Sequence, residues 1–181
     1  TFGMRALLWA LSVFALVLSG PLPAQAGEDD NSLGSDFLWG VASSGFQAEG
    51  YSPDSNWRRF AESDKAEDPI GNSVDFFHLY KEDIERARQM GVQVYRVGVE
   101  WARIEPKRGE RSQEGLDFYD DLIKSIVDAG MRPMITIDHW VYPGWQADQG
   151  GWKRAGMVDD WLNNAKFVVD RYAHYEPIWI T

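Results

Sequence analysis

Three short stretches carry side chains that could hold or transform a ligand. In "YRVGVE", strand alternation sets Tyr95, Val97 and Val99 on one face and Arg96, Gly98 and Glu100 on the other. A guanidinium on an inner face needs a carboxylate, and losing one partner of a buried pair costs on the order of 3–5 kcal/mol. Glu100 could fill that role, or a carboxylate from a later strand could approach Arg96 instead. In "TIDHW", Asp138, His139 and Trp140 fall at a strand end in the same register as Glu100 and Trp101. Histidine can donate to a ligand hydroxyl, and tryptophan can cover the apolar face of a sugar ring. The plainer reading is a satisfied core histidine beside a packing tryptophan. In "GFQAEG", the Gln47 amide is donor and acceptor together, which suits a vicinal diol. Glu49, two residues on, would point the same way in an extended stretch. The competing reading there is a polar turn.

The elements that would position these residues repeat along the chain. "GVQVYRVGVEW" from Gly91 and "GMRPMITIDHW" from Gly130 share one plan: Gly, apolar strand, polar residue, Trp. The interval is roughly 40 residues, the size of one supersecondary unit. Before Gly91, Phe76, Tyr80, Ile84 and Ala87 form a helical stripe, and before Gly130, Leu116, Tyr119, Ile123 and Ile126 form another. Both glycines stand where a helix end takes a left-handed residue. Trp161, Ala165, Val168 and Tyr172 mark a third helix, followed by the strand "PIWIT". With "DFLWGVAS" as a first strand, strands and helices alternate, which implies parallel pairing. An open doubly wound sheet and an eight-fold barrel both fit. The glycines of "WGVASSGFQAEG" do not open a helix as a dinucleotide fingerprint requires, which favours the barrel. A barrel's site lies at the C-terminal strand ends. Long loops occupy those ends, from Ser43 to Ser73 and through "WVYPGWQADQGGWKRAG", the latter bearing Trp140, Trp145 and Trp152.

The formal charge of -10 argues against a nucleic-acid partner, which would be repelled. No cysteine is present, so disulfides and thiolate ligands are excluded. Three histidines without an HExxH motif give no basis for a metal, and no cofactor is expected. At the N-terminus, Met4 and Arg5 precede the apolar run "ALLWALSVFALVLSG" and then "PLPAQA", with Ala24 and Ala26. This is the pattern of a secretory signal over residues 1–26, in which residues 1–3 would lie upstream of a start at Met4. Cleavage would start the mature chain at Gly27 and leave no stable membrane span, so a secreted protein is expected. An uncleaved anchor is the alternative.

Taken in order, these motifs resemble family 1 glycoside hydrolases, the β-glucosidase family, from Phe37 to Thr181. "FLWGVASSGFQAEG" is similar to the family's opening motif, "YKEDIERARQMGVQVYRVGVEWARIEP" to its second-strand block, and "DHW" with Pro143 and "GGW" to its third-strand motif and loop. "PIWIT" resembles its fourth strand. The resemblance implies an α/β fold, the N-terminal half of a (β/α)8 TIM barrel (strands 1–4, incomplete), over residues 27–181. It implies retaining hydrolysis of a β-linked glycoside. Gln47, His139 and Trp140 would bind substrate, and Arg96 would support the nucleophile. The acid/base glutamate would come just after Thr181, in Asn-Glu-Pro, and the nucleophile later, so no catalytic carboxylate is expected in the chain itself, which would be inactive alone. Ser112 (usually Asn), Val141 and Tyr142 (usually Asp-Leu) and Phe76 (commonly His) depart from the family pattern. A secreted sugar-binding module and a non-functional truncated product are the rival readings.

Overall fold

The computed structural model describes residues 33–181. The signal-like segment 1–26 lies outside the described residues. The chain divides into two units, Thr1–Phe37 and Leu38–Thr181. In chain order the second unit contains β1 (Gly40–Ala42), α1 (Gly45–Ala48), α2 (Asn56–Ala61), α3 (Phe76–Gln89), β2 (Val94–Gly98), α4 (Trp101–Ile104), α5 (Gln113–Asp128), β3 (Arg132–Thr136), α6 (Gly144–Ala147), α7 (Met157–Tyr172) and β4 (Ile178–Ile180). Short 3-10 turns at Gly151–Lys153 and Ala173–Tyr175 flank α7.

All strand pairs are parallel, in the order β1-β2-β3-β4. Ala42, Arg96, Met134 and Ile178 form one cross-strand row, and Gly98, Thr136 and Ile180 the next. The period-two reading holds: Tyr95, Val97, Val99 and Ile135 join the hydrophobic core, together with Ile84, Leu122, Ile126 and Val168 from the three long helices. Arg96, Met134, Ile178 and Ile180 lie half-buried on the opposite face. Sequential strand order with the long helices gathered on one face is barrel-like, since a doubly wound sheet reverses its order and is covered on both sides.

The helical stripes fall where periodicity sets them. Phe76, Ile84 and Ala87 are buried on α3, and Leu116, Tyr119, Ile123 and Ile126 on α5. Ser112 caps α5 by accepting from the Gly115 N–H (3.2 Å), and Phe76 is core, so two of the departures from the family pattern serve packing. Gly91 (φ 74°) and Gly130 (φ 80°) adopt the left-handed conformation that closes α3 and α5.

Two expectations need correction. The first strand is shorter than "DFLWGVAS", because β2 begins only at Val94 and offers pairing from Gly40 onward. The Trp39 carbonyl still accepts from the Gln93 (2.8 Å) and Val94 (3.1 Å) N–H groups. The stretch around Gln47 is also not extended. Gly45 opens a single helical turn, so Gln47 and Glu49 project in different directions, Gln47 exposed and Glu49 2% exposed.

Candidate functional site

The two long loops dock against each other above the strand ends. Ser55 and Pro143 form an isolated antiparallel bridge. The Asn56 N–H donates to the Tyr142 carbonyl (3.1 Å), and the Gly144 N–H to the Asp54 carbonyl (2.9 Å). The Asn56 side chain closes the joint from both ends. Its Oδ1 accepts from the Tyr142 N–H (2.9 Å) and its Nδ2 donates to the Trp140 carbonyl (3.0 Å). Arg59 bridges Asp54 (2.7 Å) and Asp148 (2.6 Å) across the same seam. Ser55 begins α2 as a cap, its hydroxyl accepting from the Arg58 N–H (3.1 Å). That start carries Trp57 toward the strand ends.

The joint encloses a cavity of about 200 Å³ lined by Gln47, His139, Trp140, Glu100, Phe46 and Trp57, among others. Three of the four site residues read from the sequence therefore meet in one place, delivered by two distant segments. The fourth, Arg96, stands behind them. Its Nε donates to Thr136 Oγ1 (2.9 Å) and its terminal nitrogen to His139 Nδ1 (3.3 Å). It is not paired with Glu100, and among the described residues no carboxylate lies within salt-bridge distance of it. Because guanidinium only donates, that contact puts the Nδ1 lone pair toward Arg96 and the ring proton on Nε2. Partial burial, then the Arg96 cation, lowers the His139 pKa below its ordinary 6.5, with Asp138 opposing. The imidazole is thus neutral at pH 7, with Nε2–H as donor.

Trp140 has φ 68°, a costly conformation for a side chain of its size. It is held there by Asn56 at its carbonyl and by Asp138 Oδ1, which accepts from its N–H (3.0 Å). The exposed indole (65%) tilts against Trp57, with centroids 6.3 Å apart. Apolar flat surface therefore lies beside polar donors, the arrangement that a sugar's two kinds of face require. Ser44 Oγ donates to Gln47 Oε1 (2.5 Å), and Ser73 Oγ donates to the Gln47 carbonyl. With Oε1 engaged by Ser44, the Gln47 amide offers its N–H groups as donors at the cavity.

Beneath the cavity lies a buried polar cluster. Arg103 Nε donates to Glu49 Oε2 (2.7 Å), and Tyr119 Oη donates to Glu49 Oε1 (2.9 Å). The Glu100 N–H in turn donates to Tyr119 Oη (3.0 Å). Burial pushes both carboxyls upward, Glu100 well above the usual carboxylate range, and the Glu49 charge raises Glu100 further. Arg103 and Tyr119 oppose the rise at Glu49. Asp138 is also raised by burial.

Sequence reasoning missed Asn56 and Trp57, which sit in "DSNWRRF" without periodicity or motif. Ser55, of a residue type favoured at helix starts, is the signal that could have marked an ordered element there. Of the three loop tryptophans, Trp140 alone lines the cavity. Trp145 instead donates to the Glu105 carbonyl (3.0 Å) and packs edge-on against Trp101, and Trp152 packs against Trp161. Val141 and Tyr142, the departures in the third-strand loop, serve the cavity wall and the Asn56 joint. Among the described residues no cluster of His, Cys, Asp and Glu could hold a metal ion, and no helix is long and apolar enough to cross a membrane.

The model of glycosyl hydrolase family 1 matches residues 29–181. β-Glucosidase A of Acetivibrio thermocellus is 35% identical over 155 residues, covering 81% of this chain and 35% of that protein. A β-glucosidase structure from Exiguobacterium marinum superposes with a TM-score of 0.74 at 34% identity, covering 82% of this chain and 35% of the other. A rice β-glucosidase, solved as a mutant in covalent complex with Glc, superposes with a TM-score of 0.74 at 28% identity, covering 82% of this chain and 33% of its own. The chain thus spans about a third of the length of these relatives. The parallel four-stranded sheet with its helices is accordingly part of an α/β barrel. The chain belongs to glycosyl hydrolase family 1 and matches the N-terminal portion of its β-glucosidases.

Proposed function

We propose that this chain supplies the sugar-gripping part of a secreted retaining β-glycosidase that acts on β-linked glycosides. The observation that carries the reading is the meeting of Gln47, neutral His139 and Trp140 at one cavity, in a chain of this family. Gln47, its Oε1 engaged by Ser44, donates from its amide to adjacent hydroxyls of the terminal sugar. His139 donates from Nε2 to a neighbouring hydroxyl, its tautomer fixed by Arg96. The indoles of Trp140 and Trp57 cover the apolar side of the ring.

Retaining hydrolysis uses two carboxyls about 5–5.5 Å apart, one attacking the anomeric carbon and one protonating the leaving oxygen. The described acids near the cavity are otherwise engaged. Glu49 is paired with Arg103, Glu100 shares its buried site, and Asp138 holds the Trp140 N–H. The chain's own residues therefore bind and orient, and the reacting pair is assigned to sequence beyond Thr181, as the family resemblance implies. Arg96 then supports the nucleophile from beside His139. Secretion through residues 1–26 belongs to the same reading and is checked by N-terminal sequencing of the mature protein at Gly27.

The test is hydrolysis of a nitrophenyl β-glucoside by the full polypeptide, with the anomer of the released sugar followed by NMR. The β-anomer is expected first, and the 181-residue chain by itself is expected to release nothing. Binding of the glucoside by the full polypeptide without turnover would replace this reading with a secreted sugar-binding protein.

A further inference from the structure

Two buried carboxyls share one cation beneath the cavity. Glu49 is 2% exposed and Glu100 8%, while Arg103 is committed to Glu49 Oε2 (2.7 Å) and the Gly50 carbonyl (2.8 Å). Tyr119 also gives its proton to Glu49. Among the described residues no cation or hydroxyl hydrogen-bonds the Glu100 carboxyl, which the Phe46 backbone N–H approaches. Two like charges in one dry site with one counter-ion cannot both persist, and the carboxyl lacking cation and hydroxyl is the one that keeps its proton. Packing fixes that carboxyl against α1. A Cβ on Gly45 would sit 2.6 Å from Glu100 Cδ, so a bare Cα is what lets the acid lie along this turn. The same turn carries Gln47, and Glu100 itself lines the cavity.

We propose that Glu100 is a positioning residue: its carboxyl, packed against Gly45, clasps the Gly45–Ala48 turn and so aims Gln47 at the ligand, and its ionisation, which sets it against Glu49 and Asp138, loosens that packing. The inference deepens the sugar-site reading and rests on it for the identity of the ligand only. The groups facing Glu100 are Glu49 after α1, Arg103 on α4, Tyr119 on α5 and Asp138 after β3, with His139 on the same cavity wall and Arg96, on β2, turned to Thr136 and His139. Ionised Glu100 would face Glu49 and Asp138 as like charges, while Arg103 is already engaged.

The experiment combines pH-difference infrared spectroscopy with amide hydrogen exchange on the full polypeptide. A protonated carboxyl band is expected at neutral pH and is absent in Glu100→Gln. As pH rises the band bleaches, and exchange in residues 45–48, corrected for its intrinsic pH dependence, accelerates in step. Affinity for a thio-linked β-glucoside falls over the same range, approaching about tenfold per pH unit once Glu100 is ionised. Glu100→Gln removes the step in exchange and affinity. Glu49→Gln, which removes the repelling charge and frees Arg103, moves the step to lower pH. Gln47→Ala weakens glucoside binding and leaves the band and the exchange step in place but removes most of the pH step in affinity, which an acid that did not act through Gln47 would retain. Absence of a Glu100 band at neutral pH overturns the proposal, as does an exchange step unchanged in Glu49→Gln, a readout that stands if Glu100→Gln fails to fold. If no glucoside binds at any pH, the sugar-site reading fails, while the band and the exchange step still decide whether Glu100 clasps the turn.

Discussion

His139 shows how one neighbour decides what a residue offers a ligand. Arg96 occupies Nδ1, so Nε2–H is the face presented to the cavity. Its pKa is lowered from 6.5, so between the two values the unfolded chain binds more protons than the folded one. The stability this gives is present above pH 6.5 and is lost as pH falls through the folded value. Below it, imidazolium would set a second cation against Arg96 and withdraw the Nδ1 acceptor. Glucoside affinity of the full polypeptide should therefore drop on acidification, and His139→Gln should remove that limb. A calorimetric pH series checks this. Gln47→Ala should weaken binding by about 0.5–1.5 kcal/mol per hydrogen bond lost, read as a rise in Kd. Gly45→Ala should do so indirectly, because the new methyl meets Glu100 Cδ at 2.6 Å and shifts either the acid or the turn. Its signature is a weaker Kd accompanied by faster exchange at residues 45–48.

Among the elements, α1 and α2 matter more than their length suggests. Neither is stable alone, since a single turn does not repay helix nucleation. They persist because the loops that carry them are sewn to the loop after β3. Asn56 makes three of those stitches, to Tyr142 by both backbone and side chain and to Trp140 by its amide. Asn56→Ala should cost about 1–3 kcal/mol through the donors and acceptors left unpaired, and it should free Trp140 from its left-handed conformation. Loss of the Trp140 fluorescence shift on glucoside titration, with the far-UV spectrum intact, is the expected result. The Arg59 bridge to Asp54 and Asp148 is exposed and screened, so Arg59→Ala should change stability by less than about 1 kcal/mol.

For the molecule as a unit, the energetic weak point is the buried cluster beneath the cavity rather than the helix-sheet core. Arg103→Met should cost about 3–5 kcal/mol, because it strands the Glu49 charge in a site already shared with Glu100. The pH dependence runs opposite to that of His139. Glu100 has a folded pKa raised well above 4.5, so the folded chain holds the extra proton. Its stabilising share is complete below the unfolded value and is lost as pH rises through the folded one. Urea melts of the full polypeptide should show stability declining over that window, with a flatter profile in Glu100→Gln.

The alternation of strands and helices, the buried faces of the three long helices, the left-handed glycines at Gly91 and Gly130, and the family were all legible in the residues alone. Each is expressed by local periodicity, by backbone preference or by short motifs, which a few adjacent residues carry. The inward row of Arg96, Gly98 and Glu100 was legible for the same reason. Pairing between distant segments was not, and it emerged only on folding. The helical turn at Gly45–Ala48 sends Glu49 away from Gln47 and onto Arg103, and no local signal marks a one-turn helix stabilised by contacts made far along the chain. Arg96 chose Thr136 and His139 over Glu100, because the parallel register sets Arg96 beside Met134 and brings β3's Thr136 and the nearby histidine within reach. Asn56 and Trp57 became part of the site through docking of two loops, a contact whose energy belongs to neither segment alone.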